Sequence, residues 1–147
     1  MNDTNTSQSA ATARTLTIVG LSVIGLVHLL DSVQTFSETR WLFWAYVALM
    51  VGTIVVSAAL MHRPSARWLR AAVLLAVGPM VGYVLSRTTG LPGADDDIGA
   101  WTDPLGLASL WVEAGVFLTS CYALVSVAAT HAASAARTRF HVRPLEG

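Results

Sequence analysis

Residues 16–36 read LTIVGLSVIGLVHLLDSVQTF, an apolar run interrupted towards its far end by His28 and Asp31. A hydrocarbon layer of ~30 Å is crossed by about 20 residues of helix, so this run is long enough to span. Three more such runs follow, at 41–61, 68–86 and 105–130. The fourth is the longest and is expected to tilt or to continue past the membrane surface. The predicted fold class is all-α, a four-transmembrane-helix bundle with no β-sheet, its transmembrane domain covering 15–133. Ahead of it, residues 1–14 (MNDTNTSQSAATAR) are polar and without apolar period, and are expected to be a disordered cytoplasmic tail. Behind it, 134–147 is expected to be a basic cytoplasmic tail. Arg14 before an apolar core has the outline of a signal peptide, but HLLDSVQTFS offers no small-residue cleavage site, and a retained helix is expected.

The whole composition agrees. The chain is 54% hydrophobic and 12% charged, with a mean hydropathy of +0.57, values foreign to an ordinary soluble domain of 147 residues. A formal net charge of zero argues against a nucleic-acid partner, which needs clustered excess cations. All nine basic residues are Arg, read as compositional bias. A lone cysteine, Cys121, excludes an internal disulfide and paired-thiol chemistry.

Arginine placement predicts orientation. Arg14, Arg63, Arg67, Arg70, Arg137, Arg139 and Arg143 fall on one side of the membrane; Arg40 and Arg87 fall on the other, with Glu38, Asp95, Asp96, Asp97 and Asp103. Both termini are therefore expected in the cytoplasm, in a multi-pass protein of the cytoplasmic (inner) membrane. Trp41, Trp44, Tyr46, Trp101 and Trp111 fall near the outer interface and Trp68 near the inner one, as anchors. Asp103-Pro104 is a helix start, an acid ahead of a proline that needs no donor. RPS at 63–65 is a tight turn that makes the second and third helices antiparallel neighbours. In the third span GPMVG (Gly78–Gly82) pairs a helix-bending proline with a small-xxx-small face for close helix approach.

Ionisable groups inside a bilayer are costly and mark functional or packing sites. His28 and Asp31 lie at i and i+3 on one helix face. Counting rise from each helix end puts Glu113 near the level of His28. Tyr83 and Arg87, at i and i+4 in the same outer half, are expected to donate to these acids or neutralise them. The ligand-binding or polar cluster is thus predicted to be His28, Asp31, Tyr83, Arg87 and Glu113, forming a pocket open to the outer face. His28 and Glu113 are the weak candidates for metal ligands. No cofactor is predicted. His62 and His131 could flank a haem but fall at the water interface, where solvation is the simpler role. The run DDD at 95–97 lacks the calcium-loop pattern of alternate acids, Gly and a distant Glu. The C-terminal AARTRFHVRPLEG suits an anionic leaflet or a partner protein.

GLVHLL in the first span, SRTTGLPG (Ser86–Gly93) after the third and PLGLASLWVE (Pro104–Glu113) into the fourth together resemble a broad family of small four-helix bacterial membrane proteins without an assigned activity. The resemblance covers about residues 16–130. It implies the four-helix layout and recurrence of His28, the Arg87–Pro92 segment and Glu113; DSVQTFSE (Asp31–Glu38) matches the family's acidic and aromatic motif only loosely. It implies no reaction.

Three functions fit this pattern. The first is binding or sensing of a proton, metal ion or small polar ligand in the outward-facing pocket, with Asp31 tuning His28. The second is a structural accessory subunit of a larger membrane complex, and the third a membrane enzyme using a His/Glu pair, for which no nucleophile or cofactor motif speaks. The expected partners are the bilayer and a homodimer or larger complex.

Overall fold

The structure is a computed structural model that describes residues 2–141, with the side chains of 8–33, 35–37 and 39–135. The described residues contain four helices: α1 (Asn2–Glu38), α2 (Arg40–His62), α3 (Ala66–Thr88) and α4 (Pro104–His141). All four are long and apolar enough to cross a membrane, over Gln8–Val33, Arg40–His62, Ala66–Thr88 and Pro104–Ala135. No strand occurs among the described residues, only an isolated bridge between Leu91 and Ala94.

The connections are local events. Thr39, extended at φ −136°, is the sole residue between α1 and α2, and its amide still bonds to the Thr35 carbonyl at 2.9 Å. Pro64 ends the second span, and the turn Arg63–Ser65 reverses the chain into α3. Asp103 starts α4 as expected: its carboxylate accepts from the Gly106 amide at 2.7 Å.

α1 differs from the sequence expectation at its start. Residues 2–14, read as a disordered tail, continue the helix back to Asn2. The physical reason is propagation: a spanning helix has already met the nucleation cost, and a segment with Ala10, Ala11 and Ala13 and no Gly or Pro extends it at little expense. Ala13 is buried, and Thr12 bonds back to the Gln8 carbonyl at 3.0 Å. At the other end α4 runs past 130 to His141. Residues 142–147, the end of the expected basic tail with its Arg143, lie outside the described residues.

The helices pack in an up-and-down ring, with extensive α1–α2, α1–α4 and α3–α4 interfaces, a thinner α2–α3 interface, and no contact between α2 and α4. Glycines set the closest approaches. A Cβ on Gly20 would overlap Val116 Cγ2, and one on Gly52 would lie 2.9 Å from a Leu75 methyl. The GPMVG motif is not used this way, since nothing comes within 4 Å of a Cβ built on Gly78 or Gly82.

Polarity runs opposite to that of a soluble bundle. Val33, Ile54, Leu74 and Trp111 point outward, Trp111 79% exposed, whereas Thr17, His28, Thr53, Ser109, Glu113 and Ser120 are buried. Water would penalise such an exterior, and lipid favours it; backbone groups are satisfied inside each helix, as a bilayer requires. The apolar core of Leu21, Ile24, Leu60, Ala72, Ala76 and Val116 fills the middle of the ring.

Candidate functional site

His28 occupies the inward face of α1, one turn beyond Ile24. Its Nδ1 lies 3.0 Å from the Ile24 carbonyl oxygen. A carbonyl can only accept, so the proton of that bond sits on Nδ1 and Nε2 is left to face the bundle. Opposite it, across the α1–α4 interface, is Glu113. Nε2 and Oε1 are 3.9 Å apart, and the residues are 6% and 1% exposed. One turn back on α4, the Ser109 hydroxyl donates to the same Oε1 at 2.6 Å.

Tyr46 of α2 completes this side of the site. Its ring stands edge-on to His28, centroids 5.0 Å apart, and the half-buried Asp31 lies within electrostatic range of both Tyr46 and His28. Tyr46 looked like an interfacial anchor in the sequence; the signal that it was more is that a phenol on an inward helix face must find a partner.

Arg87 and Tyr83 depart from the expected single cluster. Arg87 is buried, but its guanidinium faces the α3–α4 loop and not Glu113 or Asp31. Its Nε donates to the Ala100 carbonyl at 2.9 Å and its Nη1 to Ser86 Oγ at 3.0 Å. Nη1 also pairs with Asp97 at 2.8 Å, while Nη2 lies 3.7 Å from Asp103. Tyr83 lies under the guanidinium, 4.8 Å from ring centroid to Cζ, and its hydroxyl donates to the Trp101 carbonyl at 3.1 Å. The reason is reach. Arg87 is at the end of α3, where loop carbonyls and carboxylates surround it and α4 has only begun.

These contacts close the loop end of the bundle. Thr39 Oγ1 donates to the Gly93 carbonyl at 2.9 Å and Trp41 Nε1 to the Pro92 carbonyl at 2.8 Å. The loop 89–103 is thus strapped to the α1–α2 corner as well as to Arg87. It turns at Gly90, Gly93 and Gly99, all with φ near +80° (76°, 75° and 82°), a region that residues with a Cβ rarely adopt. The expected open outward pocket is replaced by an enclosed pair, with the loop above and Leu21, Ile24 and Val116, at most 1% exposed, on the side towards the opposite end.

Towards that end a second, uncharged network joins α1 to α4. Thr17 Oγ1 donates to the Ala13 carbonyl at 3.0 Å and lies 3.1 Å from Thr119 Oγ1 and 3.4 Å from Ser120 Oγ. A shallow groove of about 720 Å³ beside it is lined by Gln8, Ser9, Thr12, Leu16, Thr119 and Tyr122. It holds no carboxylate, imidazole or guanidinium and does not reach His28.

Among the described residues no three His, Cys, Asp or Glu side chains gather as metal ligands. His62 and His131 are exposed, on α2 and α4, which do not touch. Asp95, Asp96 and Asp97 are exposed loop residues, of which Asp97 is engaged by Arg87. No protein-family model, curated protein or solved structure matches the chain.

Proposed function

We propose that the protein is a proton-binding or proton-sensing component of the cytoplasmic membrane, both termini in the cytoplasm, in which His28 and Glu113 share one exchangeable proton. The observation that carries this reading is the 3.9 Å gap between His28 Nε2 and Glu113 Oε1, with both residues buried. With Nδ1 already committed to Ile24, the unprotonated pair sets a lone pair against a carboxylate in low dielectric, with no hydrogen bond between the two and only the Ser109 hydroxyl to stabilise Oε1. One added proton, on either atom, turns repulsion into attraction and lets the pair close towards the ~3 Å of a hydrogen bond. Closure moves α1 against α4, so protonation is coupled to helix packing. Two ligands are too few to hold a metal ion firmly, which favours the proton over the metal. The end of the bundle carrying Arg14, Arg63, Arg67 and Arg70 is the cytoplasmic one on charge grounds, leaving the strapped loop outside.

Infrared difference spectroscopy of the full chain in lipid nanodiscs, between neutral and acidic buffer, tests the assignment. A carboxyl band that appears on acidification, shifts in D2O, vanishes in Glu113→Gln and is altered in His28→Gln is the expected result. A spectrum unchanged by Glu113→Gln would instead leave the pair as fixed helix-to-helix glue, the role of an accessory subunit.

A further inference from the structure

We infer that the α2–α3 turn is a binding site for the phosphate of an anionic phospholipid headgroup. This inference goes beyond the proton site and rests on different residues, at the far end of the bundle. The turn carries Arg63, Arg67 and Arg70, all exposed, and the chain has no Asp or Glu from Thr39 to Ala94. No carboxylate among the described residues pairs with any of the three. Arg63 follows the last turn of α2, where a cation suits the carbonyl end of the helix dipole. Arg67 and Arg70 do the reverse. They sit in the opening turns of α3, at i and i+3 on one face, where the dipole already places positive charge.

Among the described residues nothing offsets that charge. Ser65 occupies the N-cap position with extended backbone, φ −152° and ψ 157°, yet makes no capping hydrogen bond. Its Oγ is buried and has no partner among the described residues; the Trp68 amide turns to the Ser65 carbonyl at 3.1 Å, and the side-chain acceptor that a serine at this position normally supplies to the opening amides is unused. No acid stands in the first turn of the helix. Two arginines, a helix N-terminus and an unused cap all ask for an external anion. Beside them Trp68 is half-buried, with the Arg67 guanidinium 5.0 Å from its ring centroid, an aromatic placed where a spanning helix leaves the hydrocarbon. The anion available at that depth, facing three arginines at the end of two spanning helices, is a lipid phosphate.

The experiment is native mass spectrometry of the full chain in neutral detergent, titrated with dioleoyl phosphatidylglycerol or dioleoyl phosphatidylcholine. Phosphatidylglycerol is expected to be retained in preference. Arg67→Gln or Arg70→Gln should each weaken that preference about fivefold, the factor equivalent to about 1 kcal/mol for one basic residue at an anionic surface, and the triple Gln variant should abolish it. Ser65→Asp supplies an internal carboxylate at the cap. It should lower phosphatidylglycerol retention while raising thermal stability in phosphatidylcholine nanodiscs, which separates site loss from misfolding. Equal retention of the two lipids by the unmodified protein, or a preference that survives in the triple variant, overturns the inference. Complete displacement of phosphatidylglycerol by inorganic phosphate would overturn it too, by making the ligand a free anion.

Discussion

Gly20→Ala is the substitution that probes most directly how α1 is held against α4. A Cβ at that position would overlap Val116 Cγ2, well inside the 3.4 Å at which ordinary van der Waals contact begins. Val116 is 1% exposed, so either the two helices part or Val116 shifts its side chain within a packed interior. Overpacking of this kind costs about 1–3 kcal/mol. In a soluble helix Gly→Ala would return about 1 kcal/mol of helix propensity. In a membrane the separated helices remain helical, so that return is largely lost. The net expectation is destabilisation of about 1–3 kcal/mol, measured by SDS titration of detergent-solubilised protein with tryptophan emission and circular dichroism as probes. Gly115→Ala is the matched control on α4, because nothing lies within 4 Å of its Cβ, and it should stay within about 0.5 kcal/mol of the parent. Val116→Ala added to Gly20→Ala should restore part of the loss, with a coupling of about 0.5–3 kcal/mol. A Gly20→Ala protein as stable as the parent, or a Gly115→Ala protein equally weakened, would refute the packing on which the His28–Glu113 distance depends.

Two further outcomes follow from the site. Arg87→Gln removes the ion pair to Asp97 and the bond to Ala100; with charge-assisted hydrogen bonds worth about 1.5–3 kcal/mol, hydrogen exchange at the Gly99 amide, bonded to the Arg87 carbonyl at 3.0 Å, should accelerate about 10- to 100-fold, and unchanged protection would show that the loop is held without the guanidinium. Ser109→Ala takes away the 2.6 Å bond to Glu113 and should lower stability in the SDS titration by about 1–3 kcal/mol, while shifting the infrared band assigned to Glu113; a band left in place would separate Ser109 from the titrating carboxyl.

The number of helices, their approximate spans and the start of α4 at Pro104 were legible in the sequence, because bilayer thickness and turn chemistry act on local composition. So was the meeting of His28 with Glu113, because rise per residue fixes depth along each helix. Depth was equally informative for Tyr83 and Arg87, and there it misled. Both sit at the loop end of α3, yet they turn to the loop, whose path depends on three glycines and on donors presented from the α1–α2 corner. Tyr46, Ser109 and Asp97 were missed for a related reason: which face each presents to which neighbour is a matter of rotation about the helix axis and of loop fold, and hydropathy is nearly blind to both.

By itself, then, the sequence determined that this chain forms four spanning helices and which ionisable groups lie buried at one depth, since transfer of residues into lipid is summed locally along the chain. Only the tertiary structure decided the partners. Close approach at Gly20 and Gly52 sets how the helices are rotated and spaced, and that rotation brings His28 to Glu113 while leaving Arg87 to the loop. Short-range electrostatics and hydrogen bonds change over about an ångström, a precision that composition does not carry and packing does.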